Sequence, residues 1–236
     1  MEKKILAVVP ARGGSKGVKL KNLRKVGGVS LIGHVGRVIA DVPAIDLAII
    51  SSDHPDIIKE SLNVGLQALF VRPAALSGDR VSDIEVLTHA LLEVEMQRNE
   101  QFDVILMLQP TSPMRHSNDV KETLRKLIDG GYDSVFTVSE TDSKGHPLKQ
   151  FVLNGDLINY YDGKGAEIIA RQQLKPTFHK NGLVYAITRE CLLEQNTLLG
   201  RKASFVVTNR PVVNIDTEYD IDLAEFIFMK KDPIEC

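Results

Sequence analysis

Short, continuously apolar segments recur along the chain, and each is followed by a stretch with helical periodicity. The first four apolar runs are Ile5–Val9, Leu47–Ile50, Leu69–Val71 and Val104–Leu108. Between and after them, apolar residues at spacings of three and four mark Leu31–Ala40, Pro55–Asn63, Ser82–Gln97 and Ser117–Asp129. Strands that are apolar throughout are typical of a parallel sheet covered by helices. The alternation therefore predicts an α/β fold with a doubly wound, mostly parallel open sheet.

Local signals and later segments complete this outline. Ser117–Asp119 predicts an N-cap for the fourth helix, and Gly130 with Gly131 predicts its end. Further along, the pattern predicts two returning strands and a terminal helix, at Gly182–Ile187, Ser204–Val207 and Glu218–Lys230. No linker, internal repeat or low-complexity tract interrupts the chain, so we expect a single domain over residues 1–236.

The alternation breaks between residues 144 and 180, which we call the excursion. Within it, Asn154–Asp156 is a turn signal between the runs Gln150–Leu153 and Leu157–Tyr161, which predicts an inserted hairpin. Two interpretations remain open. The hairpin is either a surface decoration or a dimerisation arm, in which case Phe151, Tyr160 or Tyr161 should be buried at the interface.

Composition excludes several classes of protein. The 236 residues carry a net charge of −2, with 43% apolar and 25% charged residues, so the sequence indicates no general affinity for nucleic acid or for anionic membranes. No apolar run approaches the length of a membrane span, and the run Ile5–Val9 is too short for a signal peptide. Cys191 and Cys236 suggest neither a disulfide framework nor a zinc site. We expect a soluble, cytoplasmic protein.

The most informative polar segment is Pro10–Asn22, directly after the first predicted strand. Gly13, Gly14 and Gly17 let a backbone loop approach a ligand closely and turn its N–H groups towards an anion. Four cations share this segment, namely Arg12, Lys16, Lys19 and Lys21. The pattern favours a phosphate site over a solvated basic turn, but its spacing matches neither the P-loop nor the dinucleotide fingerprint.

Other polar residues follow later apolar runs. Gln109 and Ser112 stand just past Val104–Leu108, and Asp216 follows the run Val212–Ile215. In open α/β sheets the ligand lies at the carboxyl ends of the strands. We therefore expect these side chains to meet the basic segment in one crevice.

These motifs resemble those of a known family, the bacterial CMP-N-acylneuraminate (CMP-sialic acid) synthetases. The resemblance rests on six ordered blocks that span nearly the whole chain: Pro10–Asn22; Arg72–Ala74 with Leu76 and Asp79; Leu108–Pro113 with Arg115; His146–Lys149 with Arg171–Gln173; Lys180–Gly182; and Ile215–Glu218 with Asp220. It implies a fold like that of nucleotide-diphospho-sugar transferases and a homodimer. The implied reaction is attack of a sugar's anomeric hydroxyl on the α-phosphorus of CTP, with release of pyrophosphate and a divalent cation, Mg²⁺ or another such as Mn²⁺.

The resemblance also implies roles for individual residues. Arg12, Lys16 and Lys21 would hold the triphosphate, beside the backbone of Ala11, Gly13 and Gly14, while Asn22, Arg72 and Ser82 would contact the cytidine. Gln109, Ser112, Lys149, Arg171 and Asn181 would bind the sugar acid. A surface ion pair remains an alternative for Lys149 and Arg171, as does a turn for Asn181.

Asp216 is the implied metal ligand and, with the three cations of the triphosphate site, a catalytic residue. Mg²⁺ takes one or two carboxylates plus phosphate oxygens. Alternatively, Asp216 caps the last helix. The family often has Asp-Ile-Asp where this chain has Asn214–Asp216, so Asn214 would offer only a carbonyl oxygen from the same face of a strand. Either one carboxylate suffices, or Asp220 or Asp222 compensates, and we expect weaker or differently selective metal binding.

The predicted function is therefore coupling of CTP to a nine-carbon sugar acid, an N-acylneuraminate or a legionaminate-like acid. Alternatives are another sugar acid, such as pseudaminate or an eight-carbon acid, and a nucleotide-binding regulator without turnover. A nicotinamide oxidoreductase is disfavoured by the missing fingerprint. The six scattered histidines leave the general base undefined.

Overall fold

The computed structural model describes residues 3–231, so Cys236 lies outside the described part of the chain. The strands are β1 (Ile5–Pro10), β2 (Lys25–Val26), β3 (Val29–Ser30), β4 (Leu47–Ser51), β5 (Val104–Met107), β6 (Ser134–Glu140), β7 (Phe151–Asn154), β8 (Leu157–Tyr160), β9 (Phe178–Thr188) and β10 (Ala203–Val207). The α-helices are α1 (Leu31–Ala40), α2 (Pro55–Asn63), α3 (Asp83–Arg98), α4 (Ser117–Gly130), α5 (Arg189–Leu193) and α6 (Glu218–Lys231). Within this range no helix has the length and apolar character needed to cross a membrane.

The central sheet has the order β10-β6-β9-β5-β1-β4. All neighbouring pairs are parallel except those of β9, which runs antiparallel to both β5 and β6. Successive side chains of a strand point to opposite faces, and β1 shows how both faces are filled. Ile5, Ala7 and Val9 pack with α1, α2 and α4, whereas Leu6 and Val8 pack with α3 and α5. Helices cover both faces, and the predicted mostly parallel α/β fold is confirmed.

Local capping explains why the predicted helices begin and end where they do. The Ser30 hydroxyl accepts a hydrogen bond from the Gly33 amide at the start of α1. A reciprocal capping box starts α3, and Gly131 at φ 56° ends α4. The N-cap predicted for α4 was wrong, because Ser117–Asp119 already lie in the helix. His116 is the cap, and its amide donates to the Asp119 carboxylate at 2.7 Å.

The predicted strand Leu69–Val71 was also wrong. The chain approaches the edge strand β4 only through an isolated bridge between Ile49 and Gln67. Further along, the Arg72 amide donates to the Ser52 carbonyl at 2.8 Å, just beyond the end of β4. Leu69–Val71 forms no ladder with β4. Its first two residues are apolar because they pack against the core, not because they belong to the sheet.

The excursion leaves the sheet at the end of β6 and returns at the start of β9, which includes residues 178–180. The predicted hairpin is confirmed: β7 and β8 pair from Phe151–Tyr160 to Asn154–Leu157 around a tight turn. Every residue of both strands is exposed, so neither face of the hairpin packs on the body of the chain. A hydrogen bond of 2.8 Å from the Thr141 amide to the Thr177 carbonyl closes the neck of the excursion.

Candidate active site

A cleft of about 510 Å³ opens at the carboxyl ends of β1 and β5. Its walls are the segment after β1, the segment from Arg72 into α3, the turn after β5 and Asp216. The lining residues are Pro10, Arg12, Ser15, Lys16, Gly17, Lys21, Asn22, Arg72, Leu76, Gly78, Asp79, Val81, Asp83, Val86, Gln109, Pro110, Thr111 and Asp216. The predicted strand-end crevice is therefore present.

The segment after β1 is held by hydrogen bonds from its backbone and from the Asn22 side chain. The Ala11 amide donates to the last residue of β4 at 2.9 Å, and the Gly13 amide donates to the Asp53 carboxylate at 2.9 Å. The buried Asn22 amide group donates to the Arg12 carbonyl at 3.0 Å, which folds the segment back on itself. Asp53 was not among the predicted site residues, although its position directly after an apolar run was a usable signal.

The cations of this segment face carboxylates across the cleft. Arg12 Nη1 lies 2.7 Å from Asp79 Oδ1, and Lys16 Nζ contacts the other oxygen of the same carboxylate. Lys21 Nζ lies 2.8 Å from Asp216 Oδ1. The hydrogen bond from Lys16 lowers the pKa of the Asp79 carboxyl. Asp79 belongs to one of the resemblance blocks, but its pairing with two cations far away in sequence was not predicted.

The backbone of Asp216 lies directly against the basic segment. A Cβ atom on Gly17 would collide with the Asp216 carbonyl oxygen, so this close approach requires glycine. The predicted alternative that Asp216 caps α6 was wrong. Thr217 and Asp220 cap that helix: the Asp220 carboxylate accepts from the amides of Asp216 and Thr217 at 3.0 and 2.7 Å. The Asp216 side chain is left exposed towards the cleft.

The segment Val212–Ile215 is not a strand, contrary to the prediction. It forms no ladder, and its Ile215 amide donates a backbone hydrogen bond to the Thr111 carbonyl in the turn after β5 at 2.8 Å. Residues 214 and 216 therefore do not share the face of a strand, as the predicted alternation required. Asn214 Oδ1 instead accepts a hydrogen bond of 2.5 Å from the Ser112 hydroxyl.

Three polar side chains from two segments converge on Gly182 of β9. This residue has φ 74°, and a Cβ atom built on it would lie 2.6 Å from Ser112 Oγ, 2.7 Å from Asn214 Oδ1 and 3.2 Å from Gln109 Oε1. We call Gln109, Ser112, Gly182 and Asn214 the amide corner. The structure thus brings together two predicted sugar-binding residues and one predicted metal ligand, beside the cleft that Gln109 lines.

Arg115 supports the amide corner from below. Its guanidinium is buried and donates to the carbonyls of Gln109 at 2.6 Å, Gly182 at 3.3 Å and Leu183. Burial lowers the pKa of this guanidinium to about 9. The sequence showed Arg115 only as part of a motif, and nothing in the local pattern indicated that a buried arginine would join the turn after β5 to β9.

Arg72 and Ser82 have different environments. Arg72 is only 4% exposed, and its Nε and Nη2 atoms have no hydrogen-bond partner within the described residues. Burial lowers the pKa of this guanidinium, and the nearby Asp53 opposes that effect. Ser82 instead caps α3 through Glu85 and does not line the cleft. Buried donors without partners carry a large desolvation cost, so Arg72 is prepared to bind a polar ligand group.

The remaining predicted sugar-binding residues lie outside the cleft. Asn181 is buried in β9, where the register with β6 shifts. Its side-chain Nδ2 donates to the Ser139 hydroxyl at 3.1 Å, and its Oδ1 accepts from the Leu183 amide at 3.3 Å. Lys149 and Arg171 lie in short 3-10 turns of the excursion. Neither contributes to the lining of the cleft in this chain.

Two kinds of group are absent from the described part of the site. The residues that line the cleft include no histidine. Within residues 3–231, no group of three or more histidine, cysteine, aspartate or glutamate side chains is arranged to hold a metal ion. Any cation here would therefore need ligands from the substrate as well as from the protein.

Known proteins resemble this chain in sequence and in fold. A family model described as cytidylyltransferase matches residues 6–232. The pseudaminic acid cytidylyltransferase of Campylobacter jejuni is 29% identical over 228 residues, which cover 95% of this chain and 96% of the relative. The N-acylneuraminate cytidylyltransferase A of Danio rerio is 32% identical over 219 residues, covering 92% of this chain and 49% of the relative. A solved CMP:2-keto-3-deoxy-manno-octonic acid synthetase complexed with CTP has a similar fold, with a TM-score of 0.69 at 19% identity over 97% of this chain and 100% of that chain.

Proposed function

The chain belongs to the cytidylyltransferase family, and from this premise we propose that it transfers the CMP group of CTP to the anomeric hydroxyl of a nine-carbon sugar acid. The observation that carries the proposal is the cleft itself. At one sheet edge it joins a basic, glycine-rich segment, a buried arginine with free donors and the amide corner. Nucleotidyl transfer is catalysed mainly by positioning and charge neutralisation, which such an arrangement provides.

The triphosphate would bind along the segment after β1. Arg12, Lys16 and Lys21 all line the cleft and present their charges on one wall. Lys21 is the least exposed of the three, with 16% of its side chain accessible to solvent. The backbone of Gly13 and Gly14 would lie close to the phosphates, and the three cations would neutralise charge that develops as pyrophosphate leaves.

The cytidine would bind between Asn22 and Arg72. Arg72 offers two unpartnered N–H groups from a buried position, and the cytosine ring has carbonyl and ring-nitrogen acceptors for such donors. Asn22 is positioned by its bond to the Arg12 carbonyl, so the base and the triphosphate would be held by the same segment. Ser82 does not support a contact with the base, because its hydroxyl and its amide are both engaged with Glu85 at the start of α3 and it does not line the cleft.

The sugar acid would bind at the amide corner. Gln109 lines the cleft and offers an uncharged donor and acceptor for hydroxyl and acylamino groups, and the buried Ser112 lies beside it at the amide corner. The carboxylate needs a cation, and a forked guanidinium such as that of Arg171 suits it. Lys149 and Arg171 lie outside this chain's cleft, which supports their donation to the cleft of a second copy.

A divalent cation fits the donor set next to the basic segment. Asp216 is exposed towards the cleft, and a single carboxylate together with phosphate oxygens and water is an accepted environment for Mg²⁺ or Mn²⁺. The cation would supply charge neutralisation to the triphosphate. The Asn214 oxygen already accepts from Ser112, and Asp220 is engaged at the start of α6, so Asp216 would be the principal protein ligand.

We also propose a homodimer in which the hairpin β7–β8 packs on a second copy. An exposed strand pair carrying Phe151, Ile158, Tyr160 and their neighbours is an unusually large apolar surface for a monomer. Two inactive variants test this arrangement, Arg171→Ala and Asp216→Asn, co-expressed with different affinity tags. Mixed dimers keep one intact composite site, so activity should return to about a quarter of the wild-type value in a random mixture. No recovery would show that Arg171 does not act across the dimer.

The function itself is tested by pyrophosphate release with CTP and Mg²⁺. N-acetylneuraminic, legionaminic, pseudaminic and eight-carbon sugar acids are offered in parallel. We expect release with at least one nine-carbon acid, and loss of that release in Gln109→Ala but not in Glu100→Gln, a surface variant remote from the cleft. Release with the eight-carbon acid alone would contradict the proposed acceptor. No release with any acid, at measurable CTP binding, would contradict the reaction.

A further inference from the structure

The Asp79 carboxylate forms ion pairs with two of the cations that the triphosphate would need. One carboxylate bridges two side chains: Oδ1 lies 2.7 Å from Arg12 Nη1, and Oδ2 contacts Lys16 Nζ. Asp79 lies on the wall of the cleft between Arg72 and α3, opposite the basic segment. The two oxygens of a carboxylate resemble two oxygens of a phosphate in charge and spacing, so the same donors serve both.

This bridge is exchangeable. The side chains of Arg12, Asp79 and Lys16 are 34%, 39% and 82% exposed, and ion pairs in water contribute little to stability. The hydrogen bond from Lys16 nevertheless lowers the pKa of Asp79, so the carboxylate is ionised at neutral pH. A triphosphate carries more charge than one carboxylate and would displace it, whereas a departing pyrophosphate would leave both cations open to Asp79 again.

We propose that Asp79 is an internal competitor for the phosphate groups, which weakens retention of pyrophosphate and favours its release after nucleotide transfer. The proposal rests on the proposed function. Asp79 is a positioning residue in this role, because it acts through Arg12 and Lys16 and forms or breaks no bond of the reaction. We therefore expect the Asp79 carboxylate to weaken the binding of ligands that carry a β-phosphate far more than the binding of ligands with a single phosphate.

The test is calorimetric titration of the full chain with CTP, inorganic pyrophosphate and CMP. We expect Asp79→Asn to bind pyrophosphate about three- to tenfold more tightly than wild type, the scale of one or two exposed ion pairs. CMP affinity should not change. Asp79→Glu, which keeps the carboxylate, should remain close to wild type. Product inhibition by pyrophosphate should strengthen in Asp79→Asn by the same factor.

Two controls separate competition from a general charge effect. Glu100→Gln removes a carboxylate that pairs with Lys4 at the opposite end of β1, and pyrophosphate affinity should not respond. In a Lys16→Met background, the increase in pyrophosphate affinity caused by Asp79→Asn should fall by at least half, because one of the two cations that pair with Asp79 is gone. If the increase in affinity is undiminished in that background, or is equally large for CMP, the competitor role is wrong. Asp79 would then act by general charge repulsion of the phosphates.

The remaining outcomes are also decisive. Equal pyrophosphate affinities in wild type and Asp79→Asn would overturn the competitor role and leave the proposed function intact. Weaker binding in Asp79→Asn would show that Asp79 holds the basic segment in place, which also overturns it. If neither protein binds CTP or pyrophosphate, both this proposal and the proposed function are wrong.

Discussion

Gly182 offers a direct test of the amide corner. The residue has φ 74°, where side chains are strained, and a Cβ atom would approach the oxygens of Ser112 and Asn214 within 2.7 Å. Gly28 provides a matched control, because it has the same φ of 74° but no atom within 4 Å of the position that a Cβ would take. Alanine at Gly28 therefore carries the backbone strain alone, and alanine at Gly182 carries strain and collision together.

The expected magnitudes follow from these two contributions. A left-handed alanine costs about 1–2 kcal/mol, so Gly28→Ala should lower the free energy of unfolding by roughly that amount. Overpacking adds about 1–3 kcal/mol, so Gly182→Ala should lose roughly 2–5 kcal/mol in total. That loss does not exceed the roughly 5–15 kcal/mol by which a folded domain is typically stable, so we expect the variant to remain folded at 25 °C.

The assays are urea unfolding and steady-state kinetics with the active sugar acid. In Gly182→Ala we expect kcat/KM for the sugar acid to fall about 100-fold, equivalent to about 2.7 kcal/mol, while the KM for CTP changes less than threefold. Gly28→Ala should retain wild-type kinetics. Equal stability losses in the two variants, with an unchanged KM for the sugar acid, would refute the close convergence of Ser112 and Asn214 on Gly182.

Three further predictions concern the metal, the buried arginine and the hairpin. Asn214→Asp adds a carboxylate at the amide corner, two residues before Asp216, and we expect about tenfold tighter Mn²⁺ binding in the presence of CTP. Electron paramagnetic resonance of free Mn²⁺ measures this affinity, and an unchanged value would contradict the prediction. Arg115→Met removes the side-chain donor from the carbonyls of Gln109, Gly182 and Leu183 and should lose about 3–5 kcal/mol in urea unfolding, and Arg115→Lys should lose less. Equal losses would argue against the hydrogen bonds. Ile158→Asp should give a monomer mass in light scattering, and a retained dimer would exclude the hairpin from the interface.

Much of the fold could be predicted from the sequence because short local patterns specify where its helices begin. The bounds of α1 and α2 match the predicted ranges because Ser30 and Pro55 mark the first turn of each helix. Strands were less certain, since an apolar extended run does not reveal whether it has a partner. Leu69–Val71 and Val212–Ile215 both have the composition of a strand, but each runs outside the ladder of the sheet.

The site divides in the same way. The basic segment and the turn after β5 are contiguous motifs, and the structure brings both to one cleft. The contacts of Asp79 with Arg12 and of Arg115 with Leu183 join residues far apart in sequence, and no local pattern specifies them. The excursion was located by its break in periodicity, but a single chain gives no neighbour for its exposed strands.

The narrow neck of the excursion has an evolutionary consequence. Glu140 and Phe178 are paired in the sheet, and Thr141 bonds to Thr177 just beyond them, so the chain leaves and re-enters the sheet at one place. We therefore expect insertions or exchanges between those points to leave the strand register and the segments around the cleft unchanged. If the excursion supplies Lys149 and Arg171 to the acceptor site, as proposed above, selection can change the acceptor without changing the residues that bind the nucleotide, and an excursion transplanted from a relative should fold on this scaffold.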